Sequence, residues 1–192
     1  MSSDVDEQAA ADASRRWVAD MVIGLNLCPF ARKVHDSGRV RYAVTPAADV
    51  DALLAALEAE LKALVAAPRS EIETTLLIHP RALPDFDEYL DFLPETDRLL
   101  RRLGLRGVVQ IVSFHPDYQF ADTPADAVEN YTNRSPHPML HLLREDSISE
   151  VTGDPDALAA IPERNIETLR GLGTAAVLAR LRAAVRPPST TP

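Results

Sequence analysis

The sequence predicts an α/β fold: a small, mostly parallel sheet of about three strands with crossover helices, plus a helical C-terminal third. Three observations carry the prediction. The segments Thr74–Ile78 (TTLLI) and 108–114 (VVQIVSF) are short, rich in β-branched residues and apolar on both faces, as central strands covered by helices must be. A helical repeat precedes the first of them and another separates the two, so strand and helix alternate. Beyond the last strand come proline-marked helix starts, at Ser135-Pro136, Asp154-Pro155 and Ile161-Pro162. An antiparallel arrangement of the ferredoxin-like kind is the rival topology.

The first predicted helix spans 13–24, where Trp17, Met21 and Leu25 fall four apart with Val18 and Val22 beside them. A turn through Asn26 and Leu27 leads to a short helix, PFARKVH, with Pro29 in its first position and Cys28 as N-cap. The RVRYAV segment at 39–44 alternates and suits a half-exposed edge strand. From 50 to 65, Leu53, Leu57, Leu61 and Leu64 form the clearest helical stripe in the chain. Two helical pieces, 84–93 and 95–103, are expected to break at Pro94 and to end at Gly104. Thr174 caps a last helix reaching 185. The expected organisation is a frayed segment over 1–12, one α/β domain over 13–185, and a polar, proline-rich tail over 186–192.

Composition narrows the functional classes. The chain has 192 residues, 46% of them hydrophobic, and a formal net charge of −9. A net anion gains nothing from releasing phosphate counterions, which argues against sequence-independent nucleic-acid binding. Only 7 glycines are present, little material for a phosphate-cradling loop, and no Walker motif occurs. One cysteine, Cys28, rules out an internal disulfide and a four-cysteine zinc site. No apolar run is long enough to span a membrane, and the acidic N-terminus lacks the bases of a signal peptide. These features read as cytoplasmic.

The candidate site follows from the strand ends. Leu77-Ile78-His79-Pro80 closes one central strand and Ser113-Phe114-His115-Pro116 closes the other, with the histidines 36 residues apart. A right-handed crossover would bring both ends to the edge where open α/β sheets bind ligands. His79 and His115 are therefore candidate metal ligands or bases, unless each only terminates its strand with a bond to a carbonyl. After His115 the chain runs polar and irregular, through Asp117, Tyr118, Gln119, Asn130, Asn133, Arg134, His137, His141, Arg144 and Glu145. Long irregular segments inside compact domains are usually functional.

Within it, Ser135 would cap a helix starting at Pro136, whose free backbone donors attract anions, and Arg134 adds a planar fork for a carboxylate or phosphate. Arg134 can equally pair with a structural acid. His137 and His141, four apart, would share a helix face in the manner of metal ligands. Cys28, at a helix start, would have its thiolate stabilised, and His115 or His79 can serve as its base. A lone buried cysteine more often only packs. The G-x-G-x-x-A match at 171–176 follows no strand and reads as a turn between helices.

Three stretches, GLNLCPFA at 24–31, ETTLLIHP at 73–80, and FHPDYQFADT with NRSPHPMLHLLRE between 114 and 145, resemble an uncharacterised bacterial protein family, a domain of unknown function. The resemblance extends from about residue 17 to residue 173. The family pattern has glycine where Asp122 stands. Membership implies no activity to transfer, so the function rests on the residues.

Those residues point to a small-molecule enzyme, a hydrolase or transferase acting on an anionic metabolite at the C-terminal edge of the sheet. His115 would be base or metal ligand, Cys28 nucleophile or further ligand, and Asp117 the group that orients an imidazole. Asn133, Arg134, Ser135, Tyr118 and Arg144 would bind substrate. His115, His79 and His141 would hold a divalent metal such as zinc, if one is used. The alternative is a non-catalytic domain that binds an anion or small ligand. Neither nucleic acid nor membrane is an expected partner.

Overall fold

The computed structural model describes residues 2–152 and 159–186. The chain runs α1 (Ser2–Trp17), a π-helical continuation (Val18–Ile23), α2 (Ala31–Asp36), β1 (Val40–Val44), α3 (Val50–Ala66), β2 (Thr74–Ile78) and α4 (Phe86–Leu103). It continues through β3 (Val109–Phe114), a 3₁₀ turn (Val128–Thr132), β4 (Met139–Arg144) and α5 (Glu145–Thr152). Two C-terminal helices close it, α6 (Ile161–Leu172) and α7 (Thr174–Val185).

The fold is mixed α/β with a helical C-terminal region, and its sheet has four strands in the order β1-β2-β4-β3. β1 pairs with β2 in parallel, Val40 opposite Thr74. β4 is antiparallel to both neighbours, with Met139 opposite Ile78 on one side and Phe114 on the other. The expected three-stranded, mostly parallel sheet is thus corrected to a mixed one, and β3, expected to be central, lies at an edge because β4 takes the place beside β2. The segment read as a helix after Ser135-Pro136 is β4. Its sequence, MLHLLR, holds no β-branched residue, so local propensity favours helix. Two flanking strands and burial on both faces overrule it.

Alternation along the strands feeds two cores. On one face Leu77, Leu140 and Leu142 pack against Leu53, Leu57, Leu61 and Leu64 of α3 and against Tyr89, Phe92 and Leu99 of α4. On the other, Leu76, Ile78 and Met139 meet Trp17, Met21, Tyr131, Leu169 and Val177. The Leu stripe read from the sequence is fully buried. Asp49 caps α3 by accepting the Ala52 N–H at 2.8 Å, which satisfies one of the orphan donors of the first turn.

α4 is one continuous helix through Pro94, not two pieces. Pro94 and Leu90 both face water, and the Leu90 carbonyl is the one deprived of its N–H partner. Gly104 ends α4 with φ of 69°, as expected of a glycine cap. Helix also begins earlier than expected: α1 starts at Ser2, and Ala10, Ala11 and Ala13 are buried. α6 starts at the Ile161-Pro162 signal, and α7 begins with Thr174 itself, capped by Gly173 and not by the Thr174 side chain. The Asp154-Pro155 signal and the tail beyond Arg186 lie outside the described residues. Among those described, no helix is long and apolar enough to cross a membrane.

The junction of α1 with the following turn is unusual. The Gly24 N–H donates to the Ala19 carbonyl at 3.0 Å and the Leu27 N–H to Val22 at 2.9 Å, both five-residue spacings. This widened turn brings the chain so close to itself that a Cβ at Gly24 would lie 2.3 Å from the Asp20 carbonyl oxygen. Gly24→Ala is therefore expected to cost about 1–3 kcal/mol of stability. Urea denaturation checks this; a variant as stable as the parent would show that the backbone relaxes freely there.

Candidate functional site

The parallel direction of β2 and β3 brings both His-Pro strand ends to one edge of the sheet, as expected. They are not adjacent, because β4 begins between them: the His79 N–H donates to the Pro138 carbonyl at 3.0 Å. His79 and His115 are both fully buried, on the face that carries α4. The ring of Tyr89 bridges them, 5.8 Å from His79 and 5.2 Å from His115 between centroids. The Tyr89 hydroxyl in turn donates to the Met139 carbonyl at 2.9 Å, tying α4 to the first residue of β4.

Both imidazoles are held neutral. The Asp117 N–H donates to Nδ1 of His115 at 3.1 Å, so Nε2 carries the proton and donates to the Leu83 carbonyl at 3.3 Å. Burial lowers the His115 pKa, against the opposing pull of the Leu83 carbonyl and the Asp117 and Asp85 carboxylates. His79 donates from Nδ1 to the Ala82 carbonyl at 2.9 Å, which leaves a buried Nε2 lone pair without a partner. Burial drives His79 down to about 4, with a further push from the neighbouring His115.

Above this pair lies a cleft of about 340 Å³, a size that suits a small molecule. The start of α4 supplies Pro84, Asp85, Phe86 and Asp87, and the loop after β3 supplies Asp117, Gln119, Ala125 and Arg134. Phe86 forms the wall between cleft and imidazole, its ring 5.2 Å from His115 and 5.3 Å from Tyr118. Asp85 is also the N-cap of α4, accepting the Asp87 and Glu88 N–H groups at 3.0 and 3.1 Å. Three carboxylates thus face one guanidinium.

The loop is pinned from within. Asn130, fully buried, accepts from the Phe120 N–H and the Thr123 hydroxyl and donates to the Pro124 carbonyl, all within 3.0 Å. Arg134 donates from Nε to the Tyr118 carbonyl and from Nη2 to Ala125, its guanidinium 4.5 Å above the Tyr131 ring. Asn133 donates to the Ser113 carbonyl at 3.2 Å, and the His115 N–H donates to the Asn133 carbonyl at the same distance. Asp122 adopts φ of 64°, the left-handed conformation that glycine adopts most readily and that aspartate tolerates.

The other expected residues lie elsewhere. Ser135 is buried and donates to the His137 carbonyl at 2.7 Å; it caps no helix. His137 lies in the lead-in to β4 and His141 inside it, so they share no helix face. His141 sits on the opposite face from His115. The Thr74 hydroxyl donates to the Leu142 carbonyl and accepts from His141 Nε2 at 2.8 Å. Burial takes His141 to about 4 as well. Arg144 ends β4 at the far edge, about 17 Å from its start, where it donates to the Ala67 and Ile72 carbonyls and closes the C-terminus of α3.

Cys28 is half-buried in the turn before α2, whose N-cap is Phe30 and which is only six residues long. α6 holds that turn: Asn165 donates to the Leu27 carbonyl at 2.8 Å. Leu27 packs in the core on the face away from α4. Among the described residues no hydrogen bond or ring contact joins Cys28 to His79 or His115. Nor do three His, Cys, Asp or Glu side chains gather there in a way that would hold a metal. The structure thus brings together His115, Asp117, Tyr118 and Arg134, and adds Asp85, Phe86 and Asp87. The signal for these three was the turn after β2, which ends in a proline-led N-cap at the ligand-binding edge.

Residues 9–179, from within α1 to within α7, match one protein family. The chain belongs to the DUF1415 family, described as a protein of unknown function. Neither a curated protein nor a solved structure matches it. The family match covers every strand of this DUF1415 protein and both walls of the cleft.

Neutral imidazoles make the fold acid-sensitive. His79 and His141 have folded-state values near 4 against an ordinary 6.5, so the stability they contribute is complete above 6.5. It drains as pH falls from 6.5 towards 4, because the unfolded chain takes up protons first. The urea midpoint is expected to drop steadily across that window. A midpoint that stays level there would contradict the burial of these rings.

Proposed function

We propose that this DUF1415 protein binds a small metabolite carrying both an amine and an acidic group, in the cleft between the start of α4 and the loop after β3. The observation that carries this reading is the lining: Asp85, Asp87 and Asp117 around Phe86, facing Arg134. A purely anionic ligand would meet more like charge than opposite charge. Arg134 spends Nε and Nη2 on loop carbonyls, while Nη1 makes no hydrogen bond among the described residues. That nitrogen suits the acidic group, and the carboxylates with the Phe86 face suit the ammonium. The expected anionic metabolite thereby becomes a zwitterion.

A hydrolase or transferase acting on the same ligand is the second reading. The observation that favours it is His79 Nε2 at the end of β2, a neutral buried acceptor with no partner among the described residues.

Calorimetric titration with γ-aminobutyrate and ε-aminocaproate, against the matching diamines and dicarboxylates, tests the binding reading. The amino acids are expected to bind, with Asp117→Asn and Asp87→Asn each weakening them about tenfold, or about 1.4 kcal/mol. Binding of the dicarboxylates alone, or equal affinity in the Asn variants, would overturn it.

A further inference from the structure

We infer that His115 is a positioning residue that couples protonation to the shape of the cleft, holding Asp117 in place only while its ring is neutral. The inference deepens the binding reading and rests on it. Its basis is the two-sided bonding of one buried ring. Nδ1 accepts the Asp117 N–H at 3.1 Å, and Nε2 donates to the Leu83 carbonyl at 3.3 Å. Leu83 immediately precedes the Pro84–Asp87 wall and Asp117 belongs to the opposite wall. A single neutral imidazole therefore spans both sides of the cleft from below.

Adding a proton to Nδ1 turns that acceptor into a donor aimed at another donor. The Asp117 N–H then loses its partner, and the turn it begins must shift. The Leu83 bond survives, because Nε2 keeps its hydrogen. The change is thus one-sided: the α4 wall stays and the loop wall moves.

The charges around the ring fix the sign. His115 is faced by Asp117 of its own loop, by Asp85 at the cap of α4, by the Phe86 and Tyr89 rings of α4, and by His79 from the end of β2. An imidazolium at this position draws the Asp117 carboxylate inward and sets a positive charge beside the fixed Asp85, so the cleft becomes less negative. Its affinity for an amine falls as pH falls. Burial keeps the ring neutral at physiological pH, so the device responds only to acidification.

A pH titration of the ligand-free protein, followed by NMR, tests this. The backbone amide of residue 117 is expected to shift with the same midpoint as the His115 ring protons, below the ordinary imidazole value. It should still do so in Asp117→Asn, where the local carboxylate is gone. In the double variant His115→Gln with Asp117→Asn the amide should stop responding. If that variant does not fold, the shared midpoint in the parent protein and in Asp117→Asn decides. An amide that stays still while the ring titrates, or that still titrates in the double variant, overturns the inference. Because no ligand is present, that failure would leave the binding reading standing. Intact titration without zwitterion binding would overturn the binding reading alone.

Discussion

The antiparallel insertion of β4 between two parallel strands is the constraint on which the rest of the molecule depends. β2 and β3 run the same way and so deliver His79 and His115 to one edge, but β4 fills the space between them with its own first residue. The backbone there is satisfied from several directions at once. The Met139 carbonyl takes the Tyr89 hydroxyl, and Pro138 takes the His79 N–H. Tyr89 belongs to α4, so the same bond fixes where α4 begins and hence where Asp85, Phe86 and Asp87 stand. Sheet topology, helix placement and cleft geometry are consequences of one strand's position.

A second consequence is electrostatic. Rings that end strands beneath a helix start are cut off from water, and burial makes the neutral imidazole the only comfortable state. The carboxylates of the cleft lie in the opposite situation, at the surface, one of them compensated by the first N–H groups of α4. A neutral, hydrogen-bonded floor under a charged rim is what small-ligand sites commonly present. The loop that forms the second wall needs rigidity to keep its charges apart. Asn130 and Arg134 provide it by turning the loop's own carbonyls and N–H groups inward, which also explains why so long a segment packs with no more regular structure than one 3₁₀ turn.

Much of this was readable in advance because it is local. TTLLI announces a buried strand through β-branched residues on both faces, and the Leu53 to Leu64 stripe announces a core helix; VQIVSF carries the same signal, yet β3 lies at the sheet edge with only Val109 fully buried. The paired His-Pro strand ends share one edge of the sheet because β2 and β3 both run antiparallel to β4. What escaped was non-local. MLHLLR becomes a strand only because two neighbours supply its hydrogen bonds, so the fourth strand and the mixed sheet were invisible to propensity. Arg144 was grouped with the site by its nearness in sequence to Arg134, yet a strand carries its two ends to opposite edges. Cys28 and His115 each looked capable of chemistry, but alternation along the strands sets His115 on the α4 side while the turn of Cys28 packs on the other. Asp85 and Asp87 lie in a stretch, 84–93, that reads only as helix, and folding alone brings the loop acid Asp117 opposite them.

The most direct test of the central claim, that the edge closed by β4 carries the binding site, is a map of backbone amide shifts on adding ε-aminocaproate to the folded protein. The account predicts that the shifted amides cluster at residues 84–87, 117–119 and 134, with the far edge around Arg144 and the turn around Cys28 unmoved. Shifts centred on the Cys28 turn and α6, or none at saturating probe, would contradict it.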